Sequence, residues 1–243
     1  METGHAKNVA NFETTIIILI GLGAVYNPTQ VLILLGALQT KLSEAKASLD
    51  TVDTAQADKA VKIDELQAEF EGFDKYVVNI KRTAEVEIND AAFTADLQTV
   101  VNRMRPQNRK TGLPDDPNTP EDESRTARST SMRSYDNQIA HLADIAALIR
   151  TKGDAYRPND AEYWIDAIEA KITALTAKTN AARIATATLG NEMDTRDLIL
   201  YHPETGVLKL VKLIKTQLAR KPGKDSAAYQ QITALEFRKP WLK

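Results

Sequence analysis

The sequence predicts an all-α protein made of two tandem pseudo-repeats, each an antiparallel bundle of about four helices. Three observations carry this reading. Leu35, Leu38, Leu42, Ala45, Leu49 and Val52 recur in alternating steps of three and four, which puts one narrow apolar stripe along a long helix. The same stripe returns 130 positions later as Ile165, Ile168, Ile172, Leu175, Thr179 and Ala182. The punctuation returns with it: Tyr26-Asn27-Pro28-Thr29 matches Tyr156-Arg157-Pro158-Asn159, and Arg105-Pro106 closes the first unit as Lys239-Pro240 closes the second.

The totals agree with small helical cores. The chain has 243 residues, of which 43% are apolar and only 6% aromatic. With 31 basic against 33 acidic residues there is no basic excess for a polyanion, so nucleic acid is not expected as a partner. The chain contains no cysteine, which rules out disulfides, thiolate metal sites and cysteine nucleophiles.

Taken in order, Met1 to Lys7 reads as a loose lead-in, followed by a helix over 8–23 that stops at Gly21 and Gly23. Its run Thr14 to Val25 has the length of a signal-peptide core. Yet Glu13 abuts it, only Lys7 lies upstream as a basic residue and no A-x-A site follows, so a buried helix and a cytoplasmic location are expected. The run is also shorter than the roughly 20 residues that span a bilayer. Asn27 reads as a helix cap and Pro28 as a first helical position, opening a long helix to Val52. At Thr51 to Asp58 the chain either continues or reverses; a reversal near Asp53 would pair the first stripe with a second, Ile63, Leu66, Phe70, Phe73, Val77, Ile80 and Ala84, as a helical hairpin. A third helix over 90–104 offers Phe93, Leu97, Val100 and Met104. These elements make a first repeat, residues 1–106.

Residues 107–130 contain Pro114, Pro117, Pro120 and the acids Asp115, Asp116, Glu121, Asp122 and Glu123, with almost nothing apolar; they read as a charged linker. The second repeat, 131–243, restarts with Tyr135, Ile139, Leu142, Ile145, Ala146 and Ile149. Asn159 with Glu162 has the spacing of a capping box. After a four-residue insertion the offset becomes 134, matching Gly206 to Gly72, Lys209 to Lys75, Val211 to Val77 and Ile214-Lys215 to Ile80-Lys81. His202-Pro203 should end a helix, and a last one is expected over 226–237.

The two Tyr-x-Pro turns, together with Tyr229-x-x-Ile232-x-x-Leu235-x-Phe237-x-Lys239, resemble a family of bacterial proteins with two helical repeats and no assigned activity. The resemblance implies the two-repeat, all-helical layout and carries no catalytic residue.

No constellation for chemistry emerges. His5, His141 and His202 lie far apart in the sequence, so no metal is expected. Glu65/Glu69 and Asp160/Glu162/Asp166 have helical spacing and read as solvated faces. Gly21-Leu22-Gly23 lacks the third glycine and the lysine of a phosphate loop, and no G-x-S-x-G occurs. Arg103, Arg105, Arg109 and Lys110 are followed at once by acids, a bipolar strip suited to protein contact. Two apolar features exceed what one buried face needs, and each either folds back on its own unit or meets a neighbouring copy: the run Ile16, Ile17, Ile18, Leu19, Ile20, and the terminal Phe237, Trp241 and Leu242. The expectation is therefore a non-enzymatic structural or scaffold protein, without cofactor or small-molecule ligand, that self-assembles as a homo-oligomer (filament, tube or ring) through these segments. A membrane-associated protein using the apolar first helix is the less favoured alternative.

Overall fold

The structure, a computed structural model, describes residues 3–104 and 134–239, and all regular structure among them is helical. In chain order the helices are α1 (Thr3–Gly21), α2 (Leu35–Glu69), α3 (Phe73–Ile88), α4 (Ala91–Met104), α5 (Tyr135–Arg150), α6 (Ile165–Tyr201), α7 (Val207–Leu218) and α8 (Ala227–Ala234). Two compact units result. Unit 1 comprises Met1–Val61 and Ile184–Lys243, and unit 2 comprises Lys62–Arg183. Each of the sequence halves 1–106 and 131–243 is thus divided between the units, and the expected linker 107–130 lies outside the described residues.

The division follows from α2. The chain does not reverse near Asp53, and α2 runs unbroken to Glu69. Val52 and Ala55 stay buried, so the stripe has no gap there, and no glycine or proline occurs between Ala37 and Glu69. Thr51 and Thr54 return their hydroxyls to the carbonyls of Ser48 and Asp50, at 3.0 and 2.8 Å, which keeps them compatible with a helix interior. The reversal comes instead at Gly72, whose φ of 72° a side chain would disfavour. The predicted hairpin of the two stripes does not form.

In unit 1, α1 buries Phe12, Ile16 and Leu19 against Leu210, Val211 and Ile214 of α7 and Ile232 of α8. In unit 2, α5 buries Leu142, Ile145 and Ile149 against Ile80 of α3 and Leu97 and Val101 of α4. Each core therefore joins an opening helix from one half of the sequence to closing helices from the other. Within unit 2 the end of α2 lies antiparallel to α6: Glu65 meets Lys178 at 2.9 Å and Glu69 meets Lys171 at 2.7 Å. These carboxylates are ion-paired and not simply solvated, and the Lys178 and Lys62 ammoniums hold Glu65 below the usual carboxylate range.

Four local expectations change. α1 begins at Thr3, so most of the supposed lead-in is helical. Asn27 caps no helix: the chain carries no regular structure from Tyr26 to Gln30, takes a short 3-10 turn over Val31–Ile33, and enters α2 only at Leu35. Asn159 and Glu162 form no capping box, since a matching 3-10 turn, Ala161–Tyr163, precedes α6. α8 stops at Ala234, where Leu235 turns extended (φ −71°, ψ 126°), and residues 236–239 carry no regular structure because their backbone bonds to α1 in place of their own helix. Arg105-Pro106 and Pro240 lie outside the described residues, and other punctuation holds. Asp90 accepts from the amides of Ala92 and Phe93 at the start of α4, Ser134 and Ser226 cap α5 and α8, and α6 ends one residue before His202.

Candidate contact surface

The segment after α1 and the segment after α5 are built alike. Gly23 (φ 53°) and Gly153 (φ 51°) let each chain leave its helix in a left-handed conformation. Three residues later, Tyr26 donates its hydroxyl to the Ile33 carbonyl at 2.6 Å, and Tyr156 donates to the Tyr163 carbonyl at 2.8 Å. Both tyrosines are buried, which pushes the Tyr26 phenol up to about 12 and raises that of Tyr156 further. Each hydroxyl thus pins the 3-10 turn that leads into the long helix.

The surfaces carried on this common path differ. No charged residue occurs from Thr14 to Thr40, whereas the matching stretch from Asp144 to Ala170 carries nine. In unit 1, Ile17 (62% exposed), Ile20 (50%) and Val31 (69%) face water, with Val25, Leu32 and Leu34 also exposed. Their counterparts are Ala147, Arg150, Ala161, Ala155, Glu162 and Trp164. In unit 2 the charges engage one another. Arg150 pairs with Glu169, Lys152 with Asp90 at 2.8 Å, and Arg157 with Asp154 at 2.9 Å. Trp164, although 52% exposed, donates its indole N–H to the Pro158 carbonyl at 2.9 Å.

Helical geometry divides the predicted apolar run. Ile16 and Leu19 point into the core of unit 1 and Ile18 packs partly against it, so these three are spent on folding. Ile17 and Ile20, one turn apart on the other face, remain available. Phe237 is not a free end: it packs against the core of unit 1 with the Lys215 ammonium 5.8 Å from its ring centre. Trp241 and Leu242 lie outside the described residues, as do Arg105, Arg109 and Lys110. Val25, Val31, Leu32 and Leu34 were missed, although aligning the two uncharged and charged stretches position by position would have marked them.

Polar groups inside the units tie elements together. In unit 1, Tyr201 Oη lies 2.8 Å from His5 Nδ1 and accepts from Asn8 Nδ2 at 3.1 Å, while buried Arg196 donates twice to the neighbouring Asp197 carboxylate at 2.9 and 2.7 Å. In unit 2, a cleft of about 730 Å³ between α3 and α6 is lined by Tyr76, Asn79 and Tyr163. Tyr76 there donates to the Glu162 carbonyl and Tyr163 accepts from Asn79, so both hydroxyls are engaged. Burial, with Glu162 adding to it, pushes the Tyr76 phenol up to about 12. Among the described residues no three His, Asp or Glu side chains converge as metal ligands, and no helix is long and apolar enough to cross a membrane.

The surface of exposed isoleucine, valine and leucine therefore stands as the candidate functional site on the strength of its own geometry. No protein-family model, curated protein or solved structure matches the chain.

Proposed function

We propose that the protein is a non-enzymatic structural or scaffold subunit that self-assembles through the exposed apolar side chains of unit 1. The observation that carries this reading is Ile17, Ile20, Val25, Val31, Leu32 and Leu34 turned to water within a stretch free of charge. Scattered apolar residues need no explanation, but six from one uncharged turn and its flanking helix do. Size-exclusion chromatography with light scattering, followed by negative-stain imaging, tests it: higher-order particles support assembly, and a monomer at high concentration overturns it.

Two copies of one ancestral helical unit underlie this architecture in our reading. Its support is the matched turns, with Gly23, Tyr26 and the Val31–Ile33 turn repeated 130 positions on. A second functional reading, docking on an anionic bilayer, draws on one feature. The Val31–Ile33 turn packs on α7, which carries Lys209, Lys212 and Lys215. Flotation with phosphatidylserine vesicles separates the two readings, since a scaffold stays with the protein fraction.

A further inference from the structure

The segment after α8 is held to α1 in the way one strand holds another. Asn8 donates Nδ2 to the Arg238 carbonyl at 2.6 Å and accepts the Arg238 amide on Oδ1 at 3.1 Å, so one side-chain amide satisfies both backbone groups of one residue. One helical turn on, Asn11 donates to the Glu236 carbonyl at 2.8 Å. The rise between the two asparagines, about 4.5 Å, reaches two carbonyls on the same edge of an extended chain, where repeats are about 6.6 Å. Side chains alternate accordingly: Leu235 and Phe237 turn inward while Glu236 and Arg238 face water. Beside Phe237 a groove of about 690 Å³ remains open, lined by Leu208, Val211, Lys212 and Lys215.

We propose that this surface of α1 and α7 is a binding site for an extended peptide strand of the pattern apolar-x-aromatic, and that residues 235–239 of a second copy can occupy it. The recognition is of backbone amides and one aromatic side chain, the combination by which strand-binding sites accept a partner in trans. The segment's own hold consists of three hydrogen bonds to the Asn8 and Asn11 side-chain amides, the partly buried Leu235 and Phe237 with Lys215 over the Phe237 ring, and the exposed pair Lys7–Glu236 at 3.5 Å. Such a hold opens more readily than a packed helix. Exchange replaces each contact by its equal, so protein concentration decides the outcome. One copy would then give its strand and receive another's, an exchange that closes as a dimer or ring or extends as an open chain. The counterpart helix α5 has Gln138 and His141 where α1 has Asn8 and Asn11.

This inference rests on the self-assembly reading, and the absence of native cysteine gives a direct test. Full-length Lys7→Cys and Glu236→Cys variants are mixed and treated with a short bis-maleimide. A cross-linked pair whose yield rises with protein concentration is expected. Cross-linking confined to the chain bearing both cysteines, with none in the mixture, overturns exchange. As a second measurement, a labelled peptide of residues 233–243 is titrated into the chain ending at Ala234, followed by anisotropy. Saturable binding is expected, weakened at least tenfold by Phe237→Ala in the peptide or by Asn8→Ala/Asn11→Ala in the receiver. No binding to a truncated chain that keeps its helical circular dichroism overturns the site. Failure of both tests in a chain that still associates through Ile17 and Ile20 leaves self-assembly standing without the clamp. Peptide binding by a chain that never associates overturns self-assembly and not the clamp.

Discussion

Between α1 and α2 the chain turns with Val25, Val31, Leu32 and Leu34 in water; between α5 and α6 it makes the same turn with Ala155, Ala161, Glu162 and Trp164. The path is fixed by few residues: a glycine at positive φ, a buried tyrosine bonded seven residues ahead, and a proline. Everything else on the outside is free to change without disturbing the frame. Arg150 and Lys152 enter ion pairs, whereas Ile20 at the matching position is half exposed, so one frame carries two different surfaces. One turn is finished by its own charges and the other leaves apolar side chains in water.

The shared frame can be broken first. Phe12 and Leu142 occupy matching positions in the two cores and are fully buried. Phe12→Ala should cost about 3–5 kcal/mol and Leu142→Ala about 2–5 kcal/mol, read from urea unfolding followed by circular dichroism. A loss below about 1 kcal/mol at either site would mean that the two helices do not serve equivalent cores.

Next comes the difference itself. Ile17→Lys/Ile20→Lys should weaken self-association by about 100-fold, measured by light scattering over a dilution series, with the melting temperature unchanged. The reciprocal Ala147→Ile/Arg150→Ile should create new association through unit 2. Unchanged particle size in the first variant would remove Ile17 and Ile20 from the contact.

How much of this could be read from residues alone depends on the range of the interaction. The helices, the stop at Gly21 and the break at His202-Pro203 are local matters of spacing and backbone preference, and they were legible. The path of α2 was not, because Thr51 to Asp58 suits a turn or a helix equally and burial of Val52 and Ala55 decides between them. For the same reason the split of each sequence half between two units was hidden: apolar stripes state that a face is buried, not which helix covers it. The candidate surface was half legible. The run Ile16 to Ile20 drew notice, but a helix with 3.6 residues per turn spends Ile16 and Leu19 inward and leaves Ile17 and Ile20. The course of the Phe237 segment was not legible, since only the bonds from Asn8 and Asn11 show why it leaves the helix.

The pinning tyrosines sharpen the comparison at smaller scale. Tyr26→Phe and Tyr156→Phe should each cost about 1–2 kcal/mol, because each leaves a carbonyl without its donor. The folded Tyr26 phenol keeps its proton up to about 12, whereas the unfolded one loses it near 10. Stability is therefore whole below pH 10 and falls as pH rises from 10 towards 12. Melting temperatures recorded at pH 9 and pH 11 should show the drop, and Tyr26→Phe should reduce it.

The smallest effect separates Asn11 from its counterpart His141. Asn11 has a use for its polar atoms, donating to the Glu236 carbonyl at 2.8 Å. His141 is 7% exposed, and neither ring nitrogen has a hydrogen-bond partner among the described residues; the Asp144 carboxylate lies 3.6 Å from Nδ1. A buried polar group without a partner costs free energy that an apolar side chain of similar size avoids. His141→Leu should therefore stabilise the protein by about 1 kcal/mol, while Asn11→Leu destabilises it by about the same amount, both read from denaturant midpoints. Destabilisation by His141→Leu would assign the imidazole a partner, and the equivalence of the two positions would then extend from backbone to side-chain role.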